Sequence, residues 1–496
     1  MTIMQDWLRA RVLATRDKWA LIINNEKWAY GDLDDATLKT NRHLSGWGIA
    51  KGQSVAFLLN SDAKTVAIIF ALIRLGAIIV PLNTRLSASE IEFQLENTDC
   101  TTIIYDDYFH GKIKSLGNNY KLLAVSAIFE QESGAYRETS INFDSPFAIV
   151  HTSGTSGKPK GAVLTYGNVF YSAMASAYRI GHLPDDKWLC VLPLYHVGGL
   201  SILMRAVLYG ITVDLRQKFD VDEINHALTH DDITLVSLVP TMLYRLLEAR
   251  KEPWNPKLRL VLLGGAAASP ELMQRCIEER IPVATTYGMT EASSQIATTL
   301  PGDAVRKLGS VGKPLMFTQI RIVDENDNDV RTGEYGEIIV KGLSVMKEYY
   351  GNLEATKKTL RDGWLYTGDI GYLDNDGDLF LVQRRSDLIV SGGENVYPAE
   401  VEAALRQHPA IKAVAVVGVD DAEWGQRVAA AIVLQDRQSL TENDVEQHAR
   451  QHLASYKIPR IIKFVDELPQ TASGKIQRPA VKELFLNYEA TQDTKK

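Results

Sequence analysis

Between about residue 30 and residue 300, short runs of branched and aliphatic residues alternate with longer stretches of helix-like spacing, and this alternation restricts the possible folds more than any other feature. The runs fall at 54–58, 78–82, 102–105, 147–151, 235–239 and 258–263. Parallel strands need a crossover between them, and a helix is the usual one, so the pattern predicts a layered α/β fold with largely parallel strands. Ligands in such folds collect beyond the carboxyl ends of the strands. Two glycine-rich turns follow strands at that end, 152–161 and 264–265.

From about residue 310 the texture changes to short strands divided by turns, and after residues 384–387 a compact α+β segment runs to the end, with a helix expected at 399–407 and a strand at 414–419. A chain of 496 residues exceeds what one core usually serves. The expected fold class is therefore α/β. Residues 1–384 form a large N-terminal domain of mixed and parallel sheets with flanking helices and a β-rich subdomain. Residues 385–496 form a small α+β C-terminal domain.

The bulk composition excludes several classes of function. A net charge of −7 with the two signs interspersed argues against nucleic acid or an anionic membrane as partner. Three scattered cysteines, Cys100, Cys190 and Cys276, make neither a disulfide framework nor a zinc site and fit a cytoplasmic protein. Residues 1–11 carry Asp6, Arg9 and Arg11 and lack the apolar core of a signal peptide. The longest apolar stretch, 66–82, is interrupted by Arg74, Gly76 and Pro81, so no membrane insertion is expected. It reads as a helix ending near Gly76 and then a buried strand, with Arg74 capping the helix C-terminus. The acidic stretches 324–329 and 374–378 read as hairpin turns: the first has no glycine, the second has Gly377 too early for a calcium loop. Oligomeric state is left open, a homo-oligomer included.

Chemistry is concentrated in Thr152, Ser153, Gly154, Thr155, Ser156, Gly157, Lys158, Pro159, Lys160 and Gly161, directly after an apolar strand. Glycines let backbone N–H groups close on phosphate oxygens, hydroxyls add donors, and lysines supply charge. This is not a Walker loop, because no Gly-Lys pair in the chain is followed by Ser or Thr. A second signal is Arg205, set among Leu200, Ile202, Leu203, Met204, Val207 and Leu208 in a helix that is apolar nearly all round. A buried guanidinium needs an anion, either an acidic side chain of the protein or a second negative group on a substrate.

The 152–161 segment resembles the phosphate loop of the adenylate-forming superfamily, which includes acyl-CoA synthetases. Further matches follow in order: 287–291 (Tyr-Gly-Met-Thr-Glu), 366–369 (Tyr-Thr-Gly-Asp), Arg384 with Asp387, 391–395 (Ser-Gly-Gly-Glu-Asn) and 469–475, ending Ser-Gly-Lys. The resemblance implies a ligase that joins a carboxylic acid to AMP and passes the acyl group to coenzyme A, using ATP and Mg²⁺. It implies that Gly264, Gly265, Ala266 and Tyr287 with Gly288 hold adenine, and that Thr290 meets the α-phosphate. Glu291 would bind Mg²⁺, and Asp369 with Arg384 would hold the ribose. Lys475 becomes the adenylation catalyst, because a carboxylate attacking a phosphate needs a cation to meet the charge that builds up. The small C-terminal domain is implied to be mobile, bringing Gly392 and Gly393 to the pantetheine tunnel. The family hinge is often Asp or Lys, where this chain has Ser386.

The resemblance places His196 beside the acyl channel, gating or orienting the carboxylate. The segments around Arg205, 237–240, 262–268 and 386–395 are similar to the branch of acid–CoA ligases that takes an aromatic dicarboxylate. That similarity implies that Arg205, directly or through water, with Ser237, Ser293 and Ser294, holds a free carboxylate of the substrate. Alternatives are another aryl- or medium-chain acyl-CoA ligase and a binding protein that keeps the fold without turnover.

Overall fold

The computed structural model describes residues 3–4, 6–24, 26–116, 119–130, 134–152, 159–383, 389–469 and 476–485. The described residues form two compact units, a larger one running to Gln383 and a smaller one comprising the chain beyond it together with Arg85–Phe93, Pro159 and Lys160. No helix among the described residues is long and apolar enough to cross a membrane.

Among the described residues the larger unit is built on two large sheets, beside a two-stranded pairing of Ile3–Met4 with Ile141–Asn142. One has seven strands, with Ser54–Leu58 parallel to both Ile78–Pro81 and Thr102–Tyr105, and Pro146–Thr152 beyond Ile78–Pro81. The other has fourteen strands. Its parallel half runs Trp19–Ile23, Thr212–Leu215, Lys187–Cys190, Leu235–Leu238, Leu260–Leu263 and Val283–Met289 in spatial order. From Val283–Met289 onward the neighbours turn antiparallel, through Ser294–Thr298, Ser310–Pro314, Leu379–Gln383 and Trp364–Leu373. The β-rich stretch after residue 310 is thus the antiparallel end of this sheet.

Parallel strands covered on both faces read as continuous apolar runs, as Leu260–Leu263 does; Leu235–Leu238 and Thr212–Leu215 are equally buried but carry Ser237, Thr212 and Asp214. The helix Ala63–Leu75 starts where Asp62 accepts the backbone N–H of Thr65 at 2.8 Å and stops at Gly76, whose φ of +69° reverses the chain. Arg74 in its last turn departs from its expected capping role. Its Nε donates to Asp6 Oδ2 at 2.6 Å and its Nη2 to Asp34 Oδ1 at 2.5 Å. Wholly enclosed by its neighbours, the guanidinium takes the full charges of carboxylates over the partial charges of helix carbonyls.

Both acidic stretches are hairpin turns. Residues 374–378 join Trp364–Leu373 to Leu379–Gln383, and Asp324 and Asp329 lie between Thr318–Val323 and Gly336–Gly342. The smaller unit has a five-stranded sheet in which Ile411–Asp421 pairs antiparallel with Gly425–Leu434. Alternate residues of these strands feed two cores: Val414, Val416, Ala430 and Ile432 pack with Val401, Leu405 and Val445, while Ala415, Val417, Ala429 and Ala431 pack with Leu468, Val481 and Phe485. The helix expected at 399–407 is Pro398–Leu405.

Candidate active site

Neighbouring parallel strands of the large sheet end side by side, and their carboxyl ends carry most of the predicted site. Register pairs Cys190 with Ser237, Ser237 with Leu262, and Leu263 with Thr285. The segment with His196 therefore follows one strand, Gly264–Ala266 the next but one, and Tyr287–Glu291 the one after that.

Tyr287 is buried, and its hydroxyl donates to Asp369 Oδ2 at 2.6 Å, joining two predicted nucleotide-binding residues 82 positions apart. Gly288 has no room for a side chain, since a Cβ would lie 1.7 Å from the carbonyl oxygen of Ser294. That close approach accompanies a register shift between Tyr287 and Gly288, which frees the strand to turn into the short 3₁₀ turn Thr290–Ala292. Gly264 lies against Thr286, whose Cγ2 would be 2.6 Å from an added Cβ, and Gly265 has a φ of +82°. Glycine there lets backbone approach a flat ligand.

Glu291 is half-buried; Tyr349 donates its hydroxyl to Oε1 at 2.7 Å, and the backbone carbonyl accepts Met346 N–H at 2.7 Å. One carboxylate oxygen is thereby oriented and Oε2 is left for a hard cation, so this residue fits Mg²⁺. Ser293, in a left-handed conformation (φ +54°), donates to the Ser344 carbonyl at 2.8 Å, and its own carbonyl accepts Ser172 Oγ at 2.7 Å. Ser294 has a φ of +101° and is half-buried.

His196 precedes the helix Val197–Tyr209 at its N-cap and meets the Tyr195 ring edge-on at 4.7 Å. Gly199 lets this helix start tight against the preceding turn, because a Cβ there would be 2.3 Å from the Pro193 carbonyl oxygen. Nine residues on from His196, about 13 Å along the axis, Arg205 is 2% exposed. Its Nε and Nη2 have no hydrogen-bond partner. Burial depresses its pKa, opposed by the nearby Tyr209. Arg205 lines a pocket enclosing about 310 Å³ with its mouth included, whose other walls include Phe147, Leu164, Val169, Leu200 and Met204. Ser293 lines the same pocket. Ser237 Oγ accepts the Trp188 indole N–H at 3.0 Å.

Thr152 closes the strand Pro146–Thr152 and Lys160 opens Lys160–Thr165. Ser153, Gly154, Thr155, Ser156, Gly157, Arg384, Ser386 and Lys475 lie outside the described residues. Within the smaller unit, Gly392 and Gly393 form the hairpin turn between Ile389–Ser391 and Glu394–Val396, with φ of +59° and +83°. Both angles suit only glycine readily, and the Trp424 ring covers Gly392 so closely that a Cβ would be 2.8 Å from it.

Sequence reasoning passed over Trp188 and Tyr349, each of which touches a predicted site residue only through the fold. An isolated Trp in a β run and a Tyr far from the motif carry no pattern that marks them. Asp374, Asp376 and Asp378 present carboxylate oxygens within 4.8 Å of one another. Lys307 Nζ lies 2.7 Å from all three and occupies the place a cation would take.

The chain matches the AMP-binding enzyme family over residues 8–350 and the AMP-binding enzyme C-terminal domain over residues 400–475. It is 42% identical over 477 residues to a 2-succinylbenzoate–CoA ligase of Bacillus pumilus, covering 96% of this chain and 97% of the relative. The o-succinylbenzoate CoA synthetase of Bacillus subtilis, a double mutant bound to its product analogue OSB-NCoA, is similar with a TM-score of 0.93 at 38% identity, over 97% of this chain and 99% of that one. The same synthetase in complex with the acyl-adenylate intermediate OSB-AMP gives a TM-score of 0.76 at 38% identity, over 97% and 99% of the two chains. In complex with ATP and magnesium ion it gives 0.76 at 38% identity, over 97% and 100%. With both segments matched and full-length relatives at this identity, the chain belongs to the AMP-binding enzyme family.

Proposed function

We propose that this chain is an acid–thiol ligase that converts 2-succinylbenzoate, ATP and coenzyme A to 2-succinylbenzoyl-CoA, AMP and diphosphate through an acyl-adenylate. The observation that carries the substrate is Arg205: a buried guanidinium with two unpartnered nitrogens, opening on a largely apolar pocket whose other polar walls are the uncharged Ser172, Ser201 and Ser293. A monocarboxylic acid uses its only charge in the reaction and leaves such a cation unanswered. 2-Succinylbenzoate has a second carboxylate, on the ring, that survives activation and can answer it.

In this reading Tyr287 and the Gly264–Ala266 backbone hold adenine, and Asp369, kept in place by the Tyr287 hydroxyl, accepts from the ribose hydroxyls. Glu291, oriented by Tyr349, holds Mg²⁺, which neutralises phosphate charge when bound. Thr290 meets the α-phosphate, and the 152–161 segment holds the diphosphate that leaves. The succinyl carboxylate attacks the α-phosphorus, the bond to the β-phosphate breaks, and Lys475 stabilises the charge that builds up at the α-phosphate. His196 orients the attacking carboxylate. The thiol of coenzyme A then displaces AMP from the acyl carbon and loses its proton, with Gly392 and Gly393 lining its approach.

Diphosphate exchange into ATP, measured with a panel of acids, tests the reading. Exchange should be fastest with 2-succinylbenzoate, and Lys475→Ala should lower it by about 10²–10³-fold while thioester formation from preformed acyl-adenylate persists. Equal rates with plain benzoates would overturn the substrate assignment. Equal loss in both half-reactions would overturn the role of Lys475.

A further inference from the structure

We propose that Trp188, itself fixed by Ser237, is a positioning residue that aims the Arg205 guanidinium at the substrate's second carboxylate and so sets the preference for dicarboxylic acids. The proposal rests on the reading of Arg205 given above.

The reasoning begins with the state of Arg205 before substrate arrives. A cation with no counter-ion in an apolar wall is costly, and without a directional partner its planar fork has no reason to hold one orientation. Among the described residues no carboxylate pairs with it. The group lying over it is aromatic: Arg205 Cζ is 5.9 Å from the centroid of the Trp188 ring. An indole face attracts a cation through its quadrupole, and does so more strongly where water is excluded. It offers no lone pair to the N–H groups, so it steadies the charge without occupying the donors that a carboxylate needs.

Such a surface acts only if it is itself fixed. Trp188 is 1% exposed on the strand Lys187–Cys190, inside the parallel half of the sheet. Its far edge is fastened by the 3.0 Å hydrogen bond to Ser237 Oγ on the adjacent strand, where Trp188 pairs with Leu235 and Cys190 with Ser237. Backbone ladder at one end and indole N–H at the other leave the ring plane no rotation. Tyr209, also close to Arg205, donates its hydroxyl to the Ala173 carbonyl, and neither Nε nor Nη2 of the guanidinium bonds to it. Ser237 therefore influences the ligand through two intermediates rather than by touching it.

A core tryptophan that merely fills space would make the same contacts, so the test must read something that packing does not move. The comparison is kcat/KM in diphosphate exchange for 2-succinylbenzoate against 4-oxo-4-phenylbutanoate, the same acid with hydrogen in place of the ring carboxylate. Trp188→Phe and Ser237→Ala should each lower the dicarboxylate value about 5- to 30-fold further than the monocarboxylate value, with the extra loss in KM for the dicarboxylate. Parallel losses for the two acids, or an unchanged ratio, would overturn the proposal. Ser237→Ala keeps the core volume nearly intact and decides the matter if the Trp188 variant does not fold. Arg205→Leu serves as the separate control on the underlying reading. If it leaves the ratio unchanged, the substrate assignment fails; if it collapses the ratio while Trp188→Phe and Ser237→Ala do not, only the positioning role fails.

Discussion

Replacing Arg74 by Met removes the cation from a buried group of three charges, and the structure sets the size of the loss. Arg74 and Asp6 have side chains 1% and 4% exposed, and Asp34 is 19% exposed. At an effective dielectric near 20, each contact is worth about 4 kcal/mol of Coulomb attraction, but most of that offsets the removal of the three groups from water. Deleting one partner is different, because the carboxylates stay buried with nothing to answer them, which costs about 3–5 kcal/mol. Asp6 keeps two donors, the backbone N–H groups of Leu8 at 2.8 Å and Arg9 at 3.1 Å, so the expected loss lies at the lower end of that range. Urea unfolding followed by near-ultraviolet circular dichroism measures it. The double variant Asp6→Asn with Arg74→Met should recover part of the loss, since the deeply buried carboxylate is then neutral and only the more exposed Asp34 is left without its partner. A single-variant loss below about 1 kcal/mol, or a double variant no better than the single, would refute this reasoning.

Both ring nitrogens of His151 are sealed from solvent without a partner, and burial pushes its pKa down to about 3. The unfolded chain then binds a proton that the native one refuses between about pH 6.5 and pH 3, so stability should fall on acidification by up to about 1.4 kcal/mol per pH unit. His151→Phe should flatten that slope, and an equal slope in the variant would refute the assignment. Lys307→Met should leave the three carboxylates of Asp374, Asp376 and Asp378 repelling one another. Its Tm should fall at pH 8 and recover partly with millimolar Ca²⁺, whereas the unaltered protein, with Lys307 among the carboxylates, should not respond; a variant as unresponsive as the parent would contradict this.

How much of this was legible beforehand depended on whether a feature was local. Strands such as 54–58 and 102–105 were readable because buried parallel strands are apolar without interruption, and the turn at Gly76 because glycine tolerates its positive φ. The residues expected at the nucleotide stand in short motifs, and the structure brings two of them, Tyr287 and Asp369, into contact. Arg74 was misread because its partners, Asp6 and Asp34, lie 68 and 40 residues away and nothing in the helix itself points to them. Arg205 showed the need for an anion from its helix alone, whereas the ring that faces it and the serine that holds the ring come from two other strands. Patterns along one segment reveal burial and turns; they do not reveal which segments meet.

The change from parallel to antiparallel pairing at Val283–Met289 bears on how the protein can be made. Tyr287 stands on the last parallel strand, and the carboxylate that its hydroxyl meets arrives only with Trp364–Leu373, after five strands of the antiparallel half have been laid down in between. In the proposed reading, a nascent chain that has folded its parallel half has the ring and glycines expected to hold adenine but lacks the carboxylate expected to hold the ribose. On that reading, nucleotide should protect the chain against unfolding only once Trp364–Leu373 has paired.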